Sequence, residues 1–179
     1  HRPAVAAQPL RIRLTEYAPD LFEERDITAA TDCKPYLDSP SITWIHVQGD
    51  VSADMLRNLG ELFELHPLAL EDVLNSGQRP KLDVYNEQYF IAMNLPEFCN
   101  GGIATQQISL FFGNNYLISF SNAAADPFEP VRARLRSPTG RFRERGADYL
   151  LYTLMDVVID AGFPLFERFG ETLEELEAE

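Results

Sequence analysis

The chain has 179 residues, with 28 acidic and 15 basic side chains and a formal net charge of -13. So acidic a chain repels phosphate backbones, which argues against nucleic-acid binding. Its 45% hydrophobic and 11% aromatic content is enough for a packed core and excludes global disorder. The first residues do not resemble a secretory signal. Because no run of about 18 apolar residues occurs, we expect that this chain does not itself cross a bilayer.

The two cysteines, Cys33 and Cys99, lie far apart in the sequence. They predict neither a zinc site nor a disulfide framework, and this mildly favours a reducing compartment.

The first third of the chain predicts two strands and a helix. Residues 10–14 alternate apolar and charged side chains, as in a half-buried edge strand. Residues 42–47 are β-branched and aromatic, which predicts a second strand. Ser52 is placed to cap a helix whose apolar positions are Met55, Leu56, Leu59, Leu62 and Phe63.

A second helix is predicted from Pro67, since the missing N–H of proline costs least in a first helical turn. This helix ends near residues 75–77, where Asn-Ser-Gly interrupts the apolar pattern. Two pairs of strands follow, 82–85 with 89–93 and 107–112 with 116–120. The Asn-Glu and Gly-Asn-Asn segments between them are typical of tight turns.

Both faces of the predicted sheet carry apolar side chains. Ile108, Leu110 and Phe112 fall on one face of their strand, and Phe111 falls on the other. Helices on both faces explain this pattern. We therefore predict an α/β fold, an α/β/α layered domain with a mixed, largely antiparallel sheet.

The remaining sequence predicts a short helix at 128–135 and a long helix from about residue 146 to the end. Apolar residues in the long segment recur at three- and four-residue steps. Pro164 deletes one backbone hydrogen bond and is expected to kink the helix near Gly162. We divide the chain into a layered domain, 1–145, and the start of a long C-terminal helix, 146–179. The acidic pattern stops at Glu179 without a cap, so we expect further residues after it.

Five segments, in order and from about Trp44 onwards, resemble the cytosolic domain of the CorA family of divalent-cation transporters. The first two are His-Pro-Leu-Ala-Leu-Glu-Asp-Val-Leu-Asn at 66–75 and Gln-Arg-Pro-Lys at 78–81. The others are Gln-Ile-Ser-Leu at 107–110, the short helix around 130–135, and Ala-Asp-Tyr-Leu-Leu-Tyr at 147–152.

The resemblance implies a pentameric channel for Mg²⁺, with Co²⁺ and Ni²⁺ as further cargo, in the cell membrane. Each protomer of the family has a domain on the cytoplasmic face and two C-terminal membrane helices with a Gly-Met-Asn motif at the pore mouth. The sequence of this chain contains neither the two membrane helices nor the Gly-Met-Asn motif. A zinc-transporting branch shares the architecture, so the soluble domain of a zinc transporter is one alternative. A free-standing interaction module without a membrane part is another.

The resemblance also implies metal ligands. Family members bind regulatory magnesium between neighbouring protomers, and the matching positions are Glu71, Asp72 and Asp156, with Asp160 as a weaker candidate. Taken alone, these carboxylates are typical of solvated helix faces. Hard cations such as Mg²⁺ nevertheless prefer one or two carboxylates together with several waters.

Other residues near the acidic helix predict structural roles. His66 has no second histidine or cysteine close in sequence, so we expect it to cap or pack the helix. Arg79 and Lys81 are expected to form ion pairs with the carboxylates. The chain lacks nucleophile-elbow, Walker and dinucleotide motifs. It therefore gives no reason to assign an enzyme activity.

Overall fold

A seven-stranded sheet forms the centre of the molecule in the computed structural model, which describes residues 8–75 and 77–178. The strand order is β2-β1-β3-β7-β6-β5-β4, and every neighbouring pair is antiparallel except β3 with β7. The strands are β1 Arg11–Ala18, β2 Leu21–Ile27, β3 Ile42–Gln48, β4 Lys81–Tyr85, β5 Gln88–Cys99, β6 Gly102–Gly113 and β7 Tyr116–Ser121. The predicted mixed, largely antiparallel sheet is confirmed.

Helices cover both faces of this sheet. The helices on its two faces are α1 Ala53–Phe63, α2 Pro67–Leu74, α3 Glu129–Arg136 and α4 Ala147–Asp160. Helix α5 Phe163–Ala178 follows α4, and short 3₁₀ segments lie at Ala30–Tyr36 and Phe142–Glu144. One apolar core lies between the sheet and α1 and α2. A second core lies on the opposite face, under α3 and α4. The predicted α/β/α layering is therefore confirmed.

Strand β3 shows how the sequence produces two cores. Ile45 and Val47 are buried against α1 and α2, whereas Ile42 and Trp44 are buried on the other face. Successive side chains of a strand point to opposite faces, so a continuous apolar run suits a strand that is covered on both sides.

Helices α1 and α2 are capped as their sequences predict. The Ser52 hydroxyl accepts a hydrogen bond from the Met55 amide at 3.1 Å. The His66 ring nitrogen Nδ1 accepts one from the Leu68 amide at 3.2 Å, and the ring stacks on Tyr85 with centroids 4.1 Å apart. The expected capping role of His66 is confirmed.

The strand at 10–14 forms as predicted, but its predicted place at the sheet edge is wrong. Strand β2 lies outside it and forms the edge. The charged residues of β1 have partners in neighbouring elements: Arg11 pairs with Asp26 on β2 and Arg13 with Glu129 on α3. Alternating charge therefore marks an interior strand here.

The single long C-terminal helix is not what the structure shows. Helix α4 ends at Asp160, α5 begins at Phe163, and a turn at Ala161 and Gly162 separates them. The break falls where Pro164 predicts a kink, but Pro164 opens a new helix instead of bending an old one. The missing N–H of proline costs little stability in the first turn, because amides there have no hydrogen-bond acceptor within the helix. Among the helices of residues 8–75 and 77–178, none combines the length and the apolar character that a membrane span requires.

Candidate metal site

Asp72 lies at the edge of the sheet and is already neutralised within the chain. Its side chain is 19% exposed and its carboxylate forms an ion pair with Lys81 on β4. The Lys81 ammonium also lies 3.2 Å from a carboxylate oxygen of Asp83. The hydrogen bond to Asp72 raises the pKa of Lys81 above its ordinary value. The predicted ion pairing is thus confirmed for Lys81, and a cation approaching Asp72 competes with this ammonium.

Glu71 has a different environment on the same helix. It is exposed, and its carboxylate has no ion-pair partner within 4 Å among residues 8–75 and 77–178. Helix α2 buries Ala69 and packs Leu70 and Val73 against the core, so Glu71 lies on the outer surface. Its carboxylate is available to a cation.

Asp156 and Asp160 lie on the exposed side of α4. They are four residues apart, so they share one helical face. The same helix buries Leu150, Leu154 and Val158 in the second core. No ion pair is recorded for either aspartate within the part of the chain that the structure describes. Two exposed carboxylates therefore face outward from this layer.

The two acidic pairs belong to opposite layers of the molecule. Helix α2 packs on one face of the sheet and α4 on the other. Across the described ranges, no group of three or more His, Cys, Asp or Glu side chains is arranged to hold a metal ion. The structure thus places the four predicted ligands on two helices without joining them into one site.

A cleft of about 250 Å³ opens beside the C-terminal end of α2. Gln107 of β6 lines it and donates two hydrogen bonds, to the Asp72 backbone oxygen at 2.8 Å and to the Ser109 hydroxyl at 3.0 Å. Gln78 donates to the same backbone oxygen at 2.8 Å. The two bonds to the Asp72 oxygen satisfy a carbonyl group that the helix end leaves without a partner, and the bond from Gln107 fixes the acidic helix to the sheet.

A buried polar network under α3 is a feature that the sequence did not predict. The Trp44 indole donates to the Ser119 hydroxyl at 2.9 Å, and that hydroxyl lies 2.6 Å from Nδ1 of His46. Nε2 of His46 lies 2.9 Å from the Gln48 side-chain oxygen. With the Ser119 hydroxyl donating to Nδ1, a neutral His46 carries its proton on Nε2 and satisfies both contacts.

Arg132 closes this network from above. It is 1% exposed, pairs with Asp126 and lies over the Trp44 ring. Burial lowers the pKa of His46 to about 4, with Asp126 acting in the opposite direction and Arg132 in the same one. Trp44 and Arg132 are 88 positions apart in the sequence, so no local pattern connects them. The network fixes α3 to the parallel strand pair.

The family model for CorA-like Mg²⁺ transporter proteins matches residues 39–179. The chain belongs to this CorA-like family. The CorA-like chain is also 34% identical, over 174 residues, to the cobalt/magnesium transport protein CorA of Thermotoga maritima. That alignment covers 96% of this chain and 50% of the Thermotoga protein, so the chain spans about half the length of this relative.

Solved structures match the fold of the CorA-like chain. The soluble domain of CorA from Methanocaldococcus jannaschii matches with a TM-score of 0.67 and 19% identity, covering 92% of this chain and 63% of that one. The ZntB cytoplasmic domain from Vibrio parahaemolyticus matches with a TM-score of 0.68 and 14% identity, covering 92% of this chain and 64% of that one. The predicted family resemblance and layered fold are both confirmed.

Proposed function

We propose that this chain is the cation-sensing and assembly domain of a pentameric channel for divalent cations, with Mg²⁺ as the main cargo and Co²⁺ and Ni²⁺ as others. The domain would lie on the cytoplasmic face of the cell membrane, with residues 1–145 as its body and 146–179 leading towards a membrane region. Membership of the family and the name of the Thermotoga relative support this assignment. The alternative outside the transporters is a free-standing interaction module without a membrane part.

The observation that carries the sensing role is the position of the four carboxylates. Glu71 and Asp72 lie on one layer, and Asp156 and Asp160 lie on the other. One copy of the chain therefore offers two incomplete sites. Two copies placed side by side bring an α2 pair and an α4 pair together, which makes one site for each neighbouring pair of protomers.

The residues fit Mg²⁺ in their donor chemistry. All four supply carboxylate oxygens, and Mg²⁺ combines one or two carboxylates with several retained waters. Exposed Glu71, Asp156 and Asp160 are accessible to a hydrated ion. Asp72 would become a further ligand only when the cation replaces the Lys81 ammonium as its partner.

Repulsion between the carboxylates of an empty site would drive the change from the closed to the open arrangement. Two carboxylates about 4 Å apart repel by about 4 kcal/mol at an effective dielectric constant of about 20. Magnesium between two protomers removes this repulsion and holds them in the closed arrangement. When internal magnesium falls, the ion leaves, the protomers separate and the channel opens.

The proposal is tested on the complete protein in liposomes, with Mg²⁺ influx measured against internal Mg²⁺ concentration. We expect wild-type influx to fall as internal Mg²⁺ rises. The double variant Glu71→Gln, Asp156→Asn should need a higher concentration for the same inhibition. Glu61→Gln, which removes an exposed carboxylate from α1, is the matched control and should behave as wild type. Inhibition that is unchanged in the double variant would contradict the assigned sensing site.

The same liposomes separate the magnesium assignment from the zinc alternative. The fold does not distinguish the two branches, since the TM-scores to the CorA and ZntB domains are 0.67 and 0.68. We expect Mg²⁺ and Co²⁺ to enter and to compete with each other. Zinc entry without magnesium entry would transfer the assignment to the zinc branch.

A further inference from the structure

A cleft of about 420 Å³ opens at the end of the sheet that carries the β4–β5 and β6–β7 turns, beside the C-terminal end of α1. It is larger than the cleft beside α2, and its volume suits a small molecule. Its walls carry three aromatic rings and two carboxylates, those of Phe63, Tyr85, Tyr116, Glu64 and Glu87. No lysine or arginine is among the described residues that line it. Aromatic surface and negative charge therefore coincide in this cleft.

Contacts with neighbouring residues hold the three rings in place. The ring centroids of Phe63 and Tyr116 lie 5.1 Å apart. Tyr85 stacks on His66, with ring centroids 4.1 Å apart. Gly113 lets the Tyr116 ring approach the backbone, since a Cβ at this position would lie 2.3 Å from a ring carbon. The aromatic wall is therefore formed before any ligand enters.

The negative charge at the cleft is not neutralised within residues 8–75 and 77–178. Glu64 and Glu87 are exposed, and neither forms an ion pair in these ranges. Helix α1 ends at Phe63, and the carbonyl groups of a helix end carry partial negative charge. Burial raises the pKa of the Tyr116 hydroxyl, the hydrogen bond from Gln88 lowers it, and the charge of Glu64 raises it. These groups together favour a positive charge in the cleft.

The backbone of Glu64 is a further unusual feature of the cleft. Its φ is 55°, in the left-handed region that glycine and asparagine favour. The other described non-glycine residues with positive φ are all asparagines. The turn itself therefore gives no reason for a glutamate, whereas a site for a cation gives one.

We propose that this cleft binds a small organic cation whose charge is a methylated, quaternary ammonium group. The faces of aromatic rings attract such a group, and the nearby carboxylates add to the attraction. A quaternary ammonium has no N–H donor, so it needs no fixed hydrogen-bond acceptor. This matches the cleft, because the Tyr116 hydroxyl and the Phe63 carbonyl already accept hydrogen bonds from Gln88.

A primary amine or a metal ion fits the cleft less well. A primary ammonium carries three donors, each of which needs an acceptor when it leaves water. A bound metal ion needs oxygen ligands fixed close together. Across the described ranges, no three His, Cys, Asp or Glu side chains form such a group.

Calorimetric titration of the chain with choline tests the site. The matched control ligand is the uncharged analogue of choline in which carbon replaces nitrogen, because the two molecules have the same shape. We expect choline to bind and the analogue to bind several-fold more weakly, since only choline carries the charge that the rings and carboxylates attract.

Two variants locate the binding. Glu64→Asn should weaken choline binding several-fold while the melting temperature stays at or above that of wild type, because asparagine suits the left-handed turn. Tyr85→Leu should weaken choline binding by a similar factor through the loss of one ring. Glu61→Gln, which removes an exposed carboxylate of α1 outside the cleft, should bind choline as wild type does. Melting curves establish that each variant folds.

Three results would overturn the proposal. The first is an absence of choline binding, or equal binding of choline and its uncharged analogue. The second is choline binding that is unchanged in both Glu64→Asn and Tyr85→Leu, since the ligand would then lie outside this cleft. The third is displacement of choline by an equal concentration of Mg²⁺ at constant ionic strength, which would make the cleft a metal site. None of these results affects the transport assignment, because influx is measured separately.

Discussion

Asp72 and Lys81 show how one ion pair sets the behaviour of a candidate ligand. The lysine lies between two carboxylates, Asp72 and Asp83, and neutralises part of their charge. An exposed or half-exposed pair of this kind contributes little to stability. If Asp72 binds a cation as we propose, the Lys81 ammonium occupies the position of that cation, and the lysine would reduce the apparent affinity of Asp72 for metal.

Replacing this lysine is therefore expected to strengthen magnesium binding. With Lys81→Met, the rise in melting temperature caused by a fixed Mg²⁺ concentration should exceed that of wild type, because Asp72 no longer exchanges a partner. Thermal melts with and without Mg²⁺ measure it, since stabilisation follows the ratio of ligand concentration to dissociation constant. Lys34→Met, at the other lysine of the chain, makes the same change at an exposed site away from α2. An equal Mg²⁺ effect in both variants would rule out the competition.

His46 predicts a loss of stability in acid. Its pKa is about 4 in the folded chain because of burial, against an ordinary value of 6.5. Between these values the unfolded chain binds a proton that the folded chain does not. The His46 contribution is thus fully present above about pH 6.5 and is lost as the pH falls towards 4. Denaturant unfolding at several pH values should show a smaller loss across this window for His46→Gln than for wild type. Parallel curves for the two proteins would contradict this role.

Among the structural elements, α1 depends on its cap. The Ser52 hydroxyl satisfies the amide of Met55, one of the four amides that a helix start leaves without partners. We expect Ser52→Ala to lower the free energy of unfolding by about 1 kcal/mol. Ser52→Asp should keep most of the wild-type free energy of unfolding, because aspartate also accepts the capping hydrogen bond. Urea unfolding of the three proteins measures the difference. Equal loss in both variants would show that the side-chain acceptor is not the cause.

Helices and turns were predictable where a local sequence pattern is compatible with only one structure. The caps of α1 and α2 and the turns between paired strands follow from single residue types at fixed positions. Strand β2 was not predicted, because four of its seven residues are charged and lie exposed at the sheet edge. The hairpin of β5 and β6 extends to Asn100 and Gly101, beyond the predicted strands, since two-stranded pairing there needs no apolar alternation.

For the molecule as a whole, the four candidate ligands stay a prediction, which the family resemblance supplied. The carboxylates were named from the sequence, and the partner of Asp72 was found nine residues later at Lys81. The separation of α2 and α4 onto opposite layers was not predicted, because it depends on the path of the chain around the sheet. The cluster of His46, Asp126 and Arg132 was missed for the same reason.

This separation makes a cation site shared between two copies testable without a membrane. If each cation site joins the α2 face of one copy to the α4 face of the next, a variant that lacks one set of carboxylates can still use the other. Glu71→Gln removes the exposed α2 ligand, and Asp156→Asn with Asp160→Asn removes the α4 ligands. All three residues are exposed, so these changes are expected to leave the fold intact.

The decisive measurement is sedimentation velocity of each variant alone and of an equal mixture, with Mg²⁺ and with EDTA. We expect that neither variant alone associates when Mg²⁺ is added. The mixture should form a Mg²⁺-dependent complex of one copy of each, because that pair restores one complete site. Magnesium-dependent association of either variant alone to the wild-type extent, or no response of a mixture under conditions where wild type responds, would contradict a metal site shared between copies.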